Sequence, residues 1–106
     1  MLTPTDLAIA RELRRRLSAI VPVLDFCVYG SRARGGATDE SDFDVYILVE
    51  TLMPHHREQI DEVAWEVGFE NECVISTIVA TPDQVEHGPF GANPLLRTIE
   101  REGIRI

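Results

Sequence analysis

Two runs of β-forming residues, 43–49 and 73–80, flank a segment of helical periodicity that Pro54 opens and Gly68 closes. Within that segment Ile60, Val63, Ala64 and Val67 recur on one side, so the helix needs an apolar surface to lie on. Strand, helix, strand in this order reads as a crossover unit, in which the helix covers one face of the sheet its two strands build. A third strand-like run, 24–29, precedes the unit and ends in a glycine-containing segment from Gly30 to Ser41, with Gly35 and Gly36 inside it.

Helices are expected on either side. Thr3 can cap a first helix with Pro4 at its first position; Leu7, Ala10, Leu13, Leu17 and Ile20 form its apolar stripe, and Pro22 stops it. Thr81-Pro82-Asp83 reads as a turn and 87–93 as an irregular loop. Asn93-Pro94 can then cap a last helix carrying Leu95, Leu96 and Ile99, ended by Gly103, with Ile104-Arg105-Ile106 alternating as a short edge strand. The expectation is a small α/β fold, a short mixed sheet flanked by helices, in one domain over residues 1–106.

Charge narrows the partners. All 10 basic residues are Arg, against 18 Asp and Glu, giving a net charge of −8 that repels nucleic-acid backbones and anionic membranes. Arg11, Arg14, Arg15 and Arg16 lie mostly off the first helix's apolar stripe: a solvated basic face, or a docking surface for an acidic partner. Cys27 and Cys73 sit singly in apolar runs, which points to a reducing compartment. The N-terminus lacks a leader pattern and no run reaches membrane-spanning length, so a soluble cytoplasmic protein is expected.

The chemistry-bearing segment is Tyr29-Gly30-Ser31-Arg32-Ala33-Arg34-Gly35-Gly36, followed by Ser41-Asp42-Phe43-Asp44. Alternate residues of a strand share a face, so Asp42 and Asp44 project together and Phe43 points away. Two adjacent carboxylates repel and raise each other's pKa unless a cation sits between them, and Mg²⁺ takes one or two carboxylates with phosphates and water filling the remainder. Gly30 permits a sharp turn and close approach of a phosphate, Ser31 adds a hydroxyl, and a helical turn after Ser31 would aim amides at the anion. Arg32 and Arg34 can add charge-assisted hydrogen bonds, with Arg34 the preferred phosphate contact.

Gly30-Ser31, ten residues, then Asp42-Phe43-Asp44 resembles the Gly-Ser-x10-Asp-x-Asp signature of the DNA polymerase β-like nucleotidyltransferase superfamily; Ser31-Arg32-Ala33-Arg34-Gly35 looks in particular like its minimal nucleotidyltransferase (MNT) branch. The specific motifs lie within residues 29–50. The resemblance implies transfer of AMP from ATP to a hydroxyl, with two Mg²⁺ ions between the triphosphate and Asp42 and Asp44. It also implies an antitoxin whose partner is a HEPN ribonuclease toxin, some members adenylylating a tyrosine of that toxin.

In one place the sequence departs from the pattern. The family's third carboxylate belongs on the strand after the helix, yet 73–80 contains no acid. Ser76 can occupy that place, and Glu72, four residues earlier, would share its face in a regular strand and serve as the third catalytic acid; a plain exposed Glu is the alternative. Without that acid, nucleotide binding can persist while transfer slows, which supports a second reading: an antitoxin that neutralises by binding alone. Transfer to RNA or a small molecule is a third reading, opposed by the lack of room for an acceptor-holding domain.

Other residues carry smaller expectations. His55 and His56 diverge on a helix and read as a polar helix start, and His87 lies in a loop. Trp65 lies off its helix's apolar stripe; packing under a neighbouring loop and anchoring a partner are its two readings. Tyr29 and Tyr46 are expected as core or pocket wall. The chain could equally self-associate.

Overall fold

The computed structural model describes residues 2–35 and 41–106; Met1 and residues 36–40, including Gly36 of the glycine-rich segment, lie outside the described residues. Along the chain run α1 (Pro4–Ser18), β1 (Val23–Tyr29), α2 (Ser31–Arg34), β2 (Phe43–Val49), α3 (Pro54–Glu70), β3 (Ile75–Ala80), α4 (Pro82–His87), a 3-10 turn (Pro89–Ala92), α5 (Pro94–Glu102) and β4 (Ile104–Arg105). The sheet order is β3-β2-β1-β4. β1 runs antiparallel to β2 and β4, whereas β2 and β3 are parallel and joined through α3, so the sheet is mixed and the crossover is realised.

Period-2 alternation divides the sheet's two faces. Phe26 and Val28 of β1 and Phe43, Val45, Ile47 and Val49 of β2 pack under α1 (Ile9, Ala10, Leu13, Leu17) and α3 (Ile60, Ala64, Val67). Cys27, Tyr46 and Ala80 turn to the other face, where α5 covers them with Leu96 and Ile99. Leu13, fully buried, shows what this packing is worth: Leu13→Ala is expected to cost about 2–5 kcal/mol.

Local chemistry explains the boundaries. Thr3 Oγ1 accepts from the Asp6 N–H at 3.0 Å while Asp6 accepts from the Thr3 N–H at 3.3 Å, a capping box that starts α1 with Pro4 at its first position. The expected stop of α3 at Gly68 is corrected, since the helix continues to Glu70 and Asn71 caps it through a 2.8 Å bond to the Val67 carbonyl. Gly68 serves a close approach instead: a Cβ there would come within 2.6 Å of the Cys73 carbonyl, which belongs to the chain folding back toward β3. Consequently β3 begins at Ile75 rather than at 73.

Thr81-Pro82-Asp83 is likewise more than a turn. Thr81 and Gln84 form a reciprocal capping box that nucleates α4, and the expected irregular loop contains the 3-10 turn. Asn93 caps α5 through its 2.9 Å bond to the Leu95 N–H, and β4 forms the expected edge strand against Cys27 and Val28. On the basic face of α1, Arg15 and Arg16 pair with Glu12, Arg16 also reaches Glu70 at 2.8 Å, and Arg14 donates to the Ile106 carbonyl, while Arg11 and Arg15 remain exposed. Among the described residues no helix is long and apolar enough to cross a membrane.

Candidate functional site

β1 ends at Tyr29, whose ladder partner is Asp44. The next residue, Gly30, sits at φ 76° and ψ −155°, outside the range that L side chains tolerate, and turns the chain into the four-residue helix α2. The intrahelical bonds start at Arg34 N–H to Gly30 carbonyl and Gly35 N–H to Ser31 carbonyl, each 3.1 Å, and Gly35 at φ 85° ends the turn. Leading amides of a helical turn point outward along its axis, away from intrahelical acceptors. The helical turn expected after Ser31 is therefore present.

Asp44 lies directly against this turn. A Cβ on Gly30 would stand 2.4 Å from Asp44 Oδ2, so only glycine lets the carboxylate approach so closely. Asp42 is exposed just before β2 and Asp44 is half-buried within it. Burial foremost, and next the charge of Asp42, push the Asp44 carboxyl above its ordinary value, while Arg34 opposes them. A cation beside Asp44 would offset both the burial and the neighbouring charge. Tyr29 responds in the same way, its hydroxyl pushed up by burial and then by Asp44.

Arg34 is exposed, with Nη1 3.4 Å from Glu102 Oε2 of α5, close enough to Asp44 to act on its charge and open enough to swing toward an anion. Arg32 departs from the expectation. Its guanidinium turns inward, 8% exposed, with Nη1 2.7 Å from Asp6 Oδ1, Nη2 2.8 Å and Nε 3.3 Å from the Ser41 carbonyl, and its carbon 5.1 Å from the Phe43 ring centroid. The Asp6 carboxylate at the start of α1 outcompetes solvent for it. A nucleotide contact by Arg32 is therefore replaced by a structural bridge.

Glu72 also departs. It lies in the turn between α3 and β3 at φ 56°, exposed, so the strand periodicity that would have brought it to Ser76's face does not apply. It lines a concavity of about 1000 Å³ together with Trp65 and Phe69. The β2–β3 register instead sets Ser76 opposite Asp44. Among the described residues no group of three or more His, Cys, Asp or Glu could hold a metal, and a Mg²⁺ shared by two carboxylates would take phosphate and water as its further ligands.

The remaining side chains fall outside the site. His56 Nδ1 accepts from the Met53 N–H at 3.2 Å at the start of α3, with His55 tilted against it, and His87 faces Glu86. Tyr46 packs in the core against Phe90. Among the described residues no loop covers Trp65: it is 67% exposed and stacks on Phe69 at 5.3 Å between centroids. Two contributors escaped sequence reasoning. Asp6 was detectable as a capping residue three positions after Thr3, but nothing local signals its bond to Arg32; Glu102 has no sequence signal at all.

Solved structures share this architecture. A toxin–antitoxin with AMP-PNP aligns at TM-score 0.65 and 16% identity, covering 91% of this chain and 70% of that one. A complex of tri-AMPylated Shewanella oneidensis HEPN toxin with MNT antitoxin aligns at 0.59 and 14%, covering 94% and 70%. The MntA-HepT toxin–antitoxin aligns at 0.58 and 14%, covering 93% and 69%. At these identities the likeness concerns the fold. No curated protein sequence matches the chain. The nucleotidyltransferase domain family, however, matches residues 10–106, a span that contains the glycine-serine turn, both acids and the whole crossover unit, and the chain belongs to that family.

Proposed function

We propose that the chain is a metal-dependent adenylyltransferase acting as an antitoxin: it moves AMP from ATP to a hydroxyl of a HEPN ribonuclease toxin and thereby silences it. The observation that carries this reading is the Asp44 carboxylate lying on Gly30 at the start of α2, with Asp42 pushing on it and Arg34 at hand. In this reading Ser31 and the leading amides of α2 cradle the phosphates, Arg34 leaves Glu102 to pair with one of them, and Asp42 and Asp44 hold Mg²⁺.

When bound, the metal would neutralise charge developing on the phosphates and favour ionisation of the incoming hydroxyl. The hydroxyl oxygen bonds to the α-phosphorus, the bond from that phosphorus to the bridging oxygen breaks, and pyrophosphate departs in line while the hydroxyl proton passes to solvent. The partner assignment draws support from the toxin–antitoxin complexes that share the fold, and from the exposed Trp65–Phe69 pair as an anchor. Labelled ATP, Mg²⁺ and the product of the adjacent gene test it. Label should reach the partner and disappear with Asp42→Asn or Asp44→Asn; label that persists in both variants refutes the assignment.

Ser76 opposite Asp44 favours a second reading, an antitoxin whose transfer step has lapsed and which neutralises by occlusion. In that case Asp44→Asn retains full protection against the toxin, whereas loss of protection excludes it.

A further inference from the structure

We infer that Arg32 is a positioning residue that ties the nucleotide cradle to the acid pair through its buried bridge between Asp6 and the Ser41 carbonyl. The inference rests on the reading of Gly30-Ser31 and Asp42/Asp44 as one site.

The β1–β2 ladder aligns Asp44 with Tyr29, and its last pair is that one. Ser31 and Asp42 both lie beyond it. Arg32 bridges them. It belongs to the first turn of α2, next to Ser31, and two arms of its guanidinium converge on the carbonyl of the peptide that leads into Asp42. The third arm is held by Asp6 at 2.7 Å, and the plane lies over Phe43, whose side chain is fully buried under α1 and α3. Arg is the residue whose fixed fork can serve two acceptors at once; Lys carries its charge at a single point.

Burying this pair is costly unless every arm is used. Among the described residues, the bonds of the fork run to the start of α1 and to the segment leading into β2. The bonds to Ser41 satisfy the remaining arms and at the same time tie the peptide leading into Asp42 to the first turn of α2.

The double variant Asp6→Asn/Arg32→Gln separates the two roles. It removes both buried charges together. The amide introduced at position 6 can still accept at the α1 cap, but the shorter amide introduced at position 32 cannot reach position 6 and Ser41 at once. Thermal stability should recover relative to either single variant. Two other readouts should not recover: the backbone order parameters of Ser31 and Asp42, measured without metal, should fall from about 0.85 to below about 0.6, and the Mg²⁺ needed for half-saturation of ATP binding should rise about ten-fold or more. Arg32→Lys keeps the charge opposite Asp6 and should move both readouts in the same direction by at least about threefold for Mg²⁺, which covers the case in which the double variant does not fold. A stable double variant with wild-type order and wild-type Mg²⁺ dependence overturns the inference. If order falls as expected yet the wild type itself binds no ATP with Mg²⁺, the positioning role stands and the nucleotide reading fails.

Discussion

Replacing Gly30 by Ala probes the contact on which the site depends. The backbone at φ 76° and ψ −155° lies in a region costing a residue with a Cβ about 1–3 kcal/mol. Reduced freedom of the unfolded chain returns about 0.4–1 kcal/mol, leaving a net loss of up to about 2.6 kcal/mol before any steric term. For a domain of this size that is a drop in Tm of up to roughly 12 °C, to which the steric term adds. The new methyl would also meet Asp44 Oδ2 at 2.4 Å, and of the atoms it meets the carboxylate is the one free to rotate away. Affinity for ATP with Mg²⁺ should therefore fall more than stability does. In an Asp44→Ala background the carboxylate overlap vanishes while the backbone cost persists, so Gly30→Ala should be less damaging there; thermal melts and urea titrations of the four proteins measure this coupling. Equal losses in both backgrounds, or a Gly30→Ala variant melting at or above the wild type, would refute the argument.

Three further outcomes are expected. Because the Asp44 pKa is raised in the folded protein, the metal-free chain is favoured by protonation below the ordinary value of 3.8 and loses that stability as pH rises through the folded value. Metal-free Asp44→Asn should thus melt above the wild type at neutral pH and match it in acid, with Mg²⁺ and ATP reversing the neutral order; an unchanged difference across the pH series defeats this. Ser76→Asp places an acid opposite Asp44 and should speed labelled AMP transfer about 10²-fold, the range of a well-placed general base; no gain would mean that the missing acid is not what limits transfer. Trp65→Ala, at an exposed stack, should change stability by no more than about 0.5–1.5 kcal/mol yet weaken partner binding at least about ten-fold by calorimetry, and undiminished affinity would move the docking surface elsewhere.

Local patterns carried much of the fold. Thr3-Pro4 and Asn93-Pro94 opened their helices as expected because a cap depends on neighbours within three residues, and β2 has the expected limits because its alternation is regular. Gly68 misled because glycine both ends helices and admits close neighbours, and only the chain returning through Cys73 decides between the two. At the site, the turn and paired acids were legible as a spacing. Arg32 and Glu72 were not, because the bond from Arg32 to Asp6 spans 26 residues and the left-handed turn at Glu72 breaks the strand period used to place it.

The site's position on the sheet explains how two acids are tolerated there. Phe43 and Val45 turn toward the face closed by α1 and α3, where an unpaired carboxylate would cost several kcal/mol. Asp44 turns to the other face, at the start of β2 opposite the start of β3, and remains half-buried. Full exposure would let water and salt screen Asp42 from Asp44 and erase the push that favours a shared cation. Partial burial preserves that push and leaves the carboxylates accessible, and Gly30 brings the turn against them. An extra apolar side chain over Asp44 should accordingly raise its pKa further, while Asp42→Asn should lower it toward 3.8; an Asp44 titration unchanged by Asp42→Asn would mean that Asp42 does not act on it.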